Sequence, residues 1–135
     1  MTRLILSLAA ALAIGSTASQ AHHSISGIYD SSRRVTLEGV VSKFQLVNPH
    51  PFLFIDVADE SGKSRSWQLE MDNRLELAAI GIVATTFKPG DRVRVHGNLA
   101  RSREQSLYLM RLDRPSDGFW YEQVGATPRV GGPTR

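Results

Sequence analysis

Two alternating runs, "FLFIDVAD" over residues 52–59 and "SRSWQLEM" over residues 64–71, stand on either side of Glu60-Ser61-Gly62. Alternation of apolar and polar side chains is the pattern of half-buried strands, and a glycine in a three-residue loop supplies the left-handed conformation that a tight hairpin requires. With Asp59 facing Lys63, every pair across the hairpin is fixed. Leu53 then faces Leu69 and Ile55 faces Trp67 on a core side, while the other side carries Phe52 opposite Glu70, with His50 opposite Asp72. A shift of one residue would bury Asp56 beside Trp67. The hairpin therefore predicts a cluster of His50, Glu70 and Asp72 at one end of its outward face.

The rest of the chain supplies partners for this hairpin. "VTLEGVVSKF" over residues 35–44 reads as a first strand, bent or bulged at its middle by Gly39. Asn48-Pro49-His50-Pro51 breaks the chain before the hairpin. "NRLELAAIGI" is helical, with Gly81 as its stop signal. The turn "KPGD" introduces the strand "RVRVHGN", and "SLYLMRL" is the last strand. The order strand, strand, strand, helix, strand, strand predicts an all-β fold with one short helix: an OB-fold-like, five-stranded Greek-key barrel over residues 35–112. A β-sandwich, with about seven strands, fits less well. Residues 22–34 are expected to form an N-terminal arm, and the Pro- and Gly-rich tail over residues 113–135 to lack regular structure apart from the cluster Phe119-Trp120-Tyr121.

Arg3, an apolar run from Leu4 to Ile14 and the small-residue stretch ending in Ser19-Gln20-Ala21 have the organisation of a secretory signal peptide, residues 1–21, with cleavage after Ala21. The apolar run falls short of the roughly 20 residues a membrane span needs, so no transmembrane anchor is expected. Cleavage would leave 114 residues beginning at His22, enough for one small domain, in the periplasm. The chain has no cysteine, so its core must hold without a disulfide. Its formal net charge of +3 would fall to +2 with the loss of Arg3. A basic exported protein is expected to meet an envelope protein, a glycan or a lipid head group, and nucleic acid is not an expected partner.

Processing would change the chemistry of His22, because a terminal histidine offers an α-amine and an imidazole from one residue. With a second imidazole, from His23 or His50, this makes a three-nitrogen set suited to copper. A first strand about 33 Å long and a thirteen-residue arm that extends to about 43 Å leave His50 within reach of His22. The plainer alternative is that His22 and His23 form a solvated end of the arm. A second candidate surface comprises Phe52, Phe54, Glu70, Arg101 and Arg103, on the face where OB-folds usually bind ligands. For an exported protein it points to an envelope glycan or protein, unless Phe119-Trp120-Tyr121 folds back over the two phenylalanines. No serine, cysteine or carboxylate constellation of a hydrolase is present, so the expectation is a noncatalytic binding protein.

His22-His23-Ser24, Tyr29-Asp30, "VTLEGVV", Asn48-Pro49-His50, "DVADESGK", "WQLE" over residues 67–70, a helix ending at Gly81 and "KPGDRVRVHG" occur in this order. Together they resemble the small exported proteins grouped as DUF6152, over about residues 22–112. The resemblance implies an OB-like β-barrel outside the cytoplasm. It also implies that any site shared by the family would fall on His22, His23, Asn48, Pro49, His50, Trp67 and Glu70, and it leaves the activity open.

Overall fold

The computed structural model describes residues 25–125 and 127–134. The described residues form an all-β fold with little helix. A helical turn over residues 25–28 leads into β1 (Tyr29–Gln45), followed by β2 (Phe52–Ala58), β3 (Ser64–Glu70), α1 (Arg74–Ala79), β4 (Arg92–Ala100), β5 (Ser106–Arg114), β6 (Phe119–Val124) and β7 (Thr127–Gly131). The strands lie in the order β3-β2-β1-β4-β5-β6-β7, and all these neighbours are antiparallel. In addition β3 pairs in parallel with β5 through Gln68–Ser106, Leu69–Leu107 and Glu70–Tyr108, so the pairings of the first five strands run in a closed circuit.

The hairpin has the register expected from its pattern. Phe52 pairs with Glu70, Leu53 with Leu69 and Ile55 with Trp67, and the turn closes with Asp59 N donating to Lys63 O at 2.9 Å. Leu53, Ile55 and Leu69 are fully buried with Val95, Leu107, Leu109 and Leu112, and Trp67 packs partly buried against them. Helix α1 contributes Leu77 to the same core. Asn73 caps its start by accepting from Leu75 N at 2.8 Å, and Gly81 follows it with a left-handed φ of 86°.

Three expectations need correction. The first strand begins at Tyr29, so the last six residues of the expected arm belong to β1. Against β2 it bulges at Ser42, between the pairs Val41–Ile55 and Lys43–Phe54, and against β4 its register shifts between Tyr29 and Arg34, so neither irregularity falls at Gly39. Gly39 answers a different need: a Cβ there would lie 2.7 Å from Asp56 O on β2, so the two backbones approach as only glycine permits.

The third correction concerns the tail, which is ordered. β5 continues through Arg114, and β6 and β7 add two strands to the sheet, making seven. The reason is burial. Phe119 and Tyr121 enter the core, Phe119 edge-on to Phe87 with ring centroids 5.7 Å apart, so they do not form a lid over Phe52 and Phe54. Trp120 lies instead under the Arg111 guanidinium at 4.9 Å. The turn into β6 is held by Arg114, whose fully buried guanidinium donates to both oxygens of Asp117, to Thr86 O and to Asp91. Pro128 is tolerated because β7 is an edge strand, and Pro115, Gly118 and Gly125 fall in the turns between strands.

Candidate functional site

A second, smaller apolar cluster lies apart from the main core. Tyr29 and Ala100 pack with Tyr108, and Ile25 and Met110 lie against them. The arm is held there by Arg101, which follows β4. Its backbone N donates to Ile28 O at 2.8 Å, its Nε to Ser26 O at 3.3 Å and its Nη1 to Asp30 Oδ2 at 3.1 Å. Ser32 donates to the other Asp30 oxygen, and this bond, with the nearby Arg101 and Arg33 charges, holds the Asp30 carboxyl below its ordinary pKa.

The loop before β2 brings His50 to this cluster. Met71 N donates to Pro51 O at 2.9 Å and Arg74 N to Pro49 O at 3.0 Å, tying the Asn-Pro-His-Pro turn to the entrance of α1; the Asn48–Pro49 peptide is cis. His50 Nδ1 then lies 2.8 Å from Glu70 Oε1, and Tyr29 OH donates to Glu70 Oε2 at 2.6 Å. His50 and Glu70 are each only 13% exposed. A carboxylate only accepts, so Nδ1 carries the proton of this bond. Nε2 is consequently the free nitrogen of a neutral His50, with its ring orientation fixed.

The charges of this chain of three groups support one another. Hydrogen bonding to Glu70 raises the pKa of His50 despite its burial, and the Glu70, Asp72 and Glu76 charges act in the same direction. Burial pushes the Glu70 carboxyl up, but the bonds from His50 and Tyr29 outweigh it and the net shift is downward. Burial first, and Glu70 second, raise the Tyr29 phenol well above its ordinary range.

His50, Tyr29 and Tyr108 line a cavity of about 440 Å³ together with Asp72 and Asn73 at the start of α1, Asn98 on β4, Gln123 on β6, and Ile25 and Ser26. Asp72 Oδ2 and Asn98 Oδ1 are buried acceptors without a hydrogen-bond partner. The site thus joins a fixed imidazole to two unmet acceptors, at the place where the described chain begins. Among the described residues, no group of three or more His, Asp or Glu side chains is placed to hold a metal ion. His22 and His23 lie outside the described residues.

The other residues singled out from the sequence are distributed as follows. Glu70 is the partner of His50 and Tyr29, while Asp72 lies across the same cavity. Arg101 is engaged with the arm, whereas Arg103 acts on Glu70 and Tyr29 only through its charge. Phe52 and Phe54 are half-buried, with the Lys43 ammonium 5.9 Å from the Phe54 ring, and they do not line this cavity. The sequence did not single out Tyr29 as a site residue, because its partner Glu70 lies 41 residues away and its surroundings read as a polar arm. The signal was a lone aromatic before Asp30 in that arm.

A comparison with curated proteins found no match. The model of DUF6152, a family of unknown function, matches residues 10–107, which takes in β1 to β4 and the first residues of β5. Tyr29, His50 and Glu70 all fall inside the match, and the chain belongs to the DUF6152 family.

Proposed function

We propose that this protein is a noncatalytic, metal-binding protein of the periplasm, with copper as its metal. In this reading the signal peptide is removed after Ala21, and the new terminus at His22 delivers its amine and imidazole to the cavity that holds His50. The observation that carries it is the His50–Glu70 bond at 2.8 Å, which leaves Nε2 as the ligand atom and supplies the carboxylate partner that metal-bound histidines characteristically have. Ile25 and Ser26 line the same cavity. His22 is three residues before Ile25, a separation of at most about 10 Å, and His23 is nearer still. The Asp72 side chain lines the same cavity, and its carboxylate favours an occupant of positive charge.

We read the scaffold as an OB-fold-like barrel. The closed circuit of five strands, with the helix between the third and the fourth, supports that reading, and β6 and β7 are then an extension of it. The barrel would hold the hairpin and the β4–β5 loop rigidly while the arm closes over the outer face of β5.

The test uses protein exported with its own leader and shown by mass spectrometry to begin at His22. It should bind one Cu(II), and both His50→Ala and a single added residue before His22 should weaken binding by at least about a hundredfold. Unchanged affinity in the extended variant would remove the terminal amine from the site, and unchanged affinity in His50→Ala would remove the imidazole.

A further inference from the structure

The β4–β5 loop also borders an open surface depression of about 400 Å³, lined by Arg33, Trp67, Arg101, Arg103, Glu104 and neighbouring loop residues. The loop is pinned to the hairpin: Gln105 adopts a left-handed φ of 48°, and its carbonyl accepts from Gln68 N at 2.9 Å, beside Trp67. Arg101 is occupied by Asp30. Arg33 and Arg103 are exposed, and among the described residues their guanidinium groups act on Asp30 and Glu70 through charge without a hydrogen bond or ion pair.

We propose that this depression is a binding site for an anionic saccharide bearing uronate carboxylates. A guanidinium pairs with a planar carboxylate through two parallel hydrogen bonds, and a sugar ring packs its C–H face against an aromatic side chain. Arg33 and Arg103 supply the guanidinium groups and Trp67 the aromatic surface. The volume falls within the range of small-ligand pockets. Glu104 offsets part of the positive charge, which favours a ligand with one charge per sugar over a doubly charged phosphate. A single-stranded nucleic acid would need successive stacking platforms, and among the described residues Trp67 is the one aromatic side chain lining this depression. A membrane surface would need apolar side chains to insert, yet the exposed large apolar residues Ile28, Val47, Leu75, Val83 and Val124 all lie outside the lining of the depression. This surface shares Arg101 and Arg103 with the candidate read from the sequence, but puts Trp67 and Arg33 in place of Phe52 and Phe54. It does not rest on the metal reading, although Arg101 borders both the His50 cavity and this depression.

The experiment titrates the exported protein with trigalacturonate and follows the two tryptophan indole N–H signals by NMR. Maltotriose, an oligothymidylate and phosphatidylglycerol vesicles are the comparison ligands. Trigalacturonate should saturate and move the Trp67 signal but not that of Trp120, and Arg33→Ala/Arg103→Ala should weaken binding by at least about tenfold. His50→Ala should leave this affinity unchanged, which separates the site from the metal site. No shift at Trp67, equal affinity in the double variant, or tighter binding of the oligonucleotide or the vesicles would each overturn the proposal.

Discussion

Replacing Glu70 by glutamine tests the chain of contacts that fixes His50. Glu70 accepts from Tyr29 OH at 2.6 Å and is bonded to His50 Nδ1 at 2.8 Å, and both His50 and Glu70 are only 13% exposed. An amide of the same shape has one acceptor oxygen, so it can serve Tyr29 or His50 but must turn its own NH₂ toward the other. Tyr29 OH, or Nδ1 of a neutral His50 in its other tautomer, can accept from that NH₂, so the loss is the charge assistance of the two bonds, about 1.5–3 kcal/mol. At about 4 °C per kcal/mol for a domain of this size, the melting temperature should fall by about 6–12 °C. Thermal unfolding of metal-free protein followed by circular dichroism measures the drop. A cycle with His50→Gln separates the pair from the backbone: its coupling energy should be at least about 1 kcal/mol. A drop below about 2 °C, or a coupling near zero, would refute the idea that Glu70 orients the imidazole.

Three further outcomes follow from the same geometry. In metal-free protein, His50 has a raised pKa, so its contribution is complete below 6.5 and is lost as pH rises through the raised value. Glu70 has a lowered pKa, so its contribution is complete above 4.5 and is lost as pH falls through the lowered value. Their joint contribution to stability is therefore greatest between 4.5 and 6.5, and urea denaturation across pH should show Glu70→Gln flattening both limbs. Arg114→Met should cost about 3–5 kcal/mol and loosen β6 and β7 first, read by hydrogen exchange, because it leaves Asp117 and Asp91 without their buried cation. Gly97→Ala should destabilise by about 3 kcal/mol in chemical denaturation, because its Cβ would lie 2.3 Å from Tyr108 O across the β4–β5 ladder.

The hairpin was legible in the sequence because a one-residue slip would bury Asp56, and Gly62 marks the turn that sets the register. That register also brought His50, Glu70 and Asp72 to one end of one face, where the structure has His50 bonded to Glu70 and Asp72 lining the same cavity. Tyr29 escaped because a hydrogen bond across 41 residues leaves no periodic trace. Arg114 escaped for a related reason: an arginine at a strand end reads as solvated, and the acids that bury it come from two separate loops. β6 and β7 were hidden by Pro115, Gly118, Pro128 and Gly131, which weaken the local strand signal, while long-range burial of Phe119 and Tyr121 decides the outcome.

The most direct measurement is pulsed electron paramagnetic resonance of exported protein beginning at His22 and loaded with one equivalent of Cu(II). The expected result is modulation from the remote nitrogens of coordinated imidazole, with one imidazole lost in His50→Ala and the site disrupted when a residue is added before His22. A spectrum identical in the native, His50→Ala and extended proteins would contradict it.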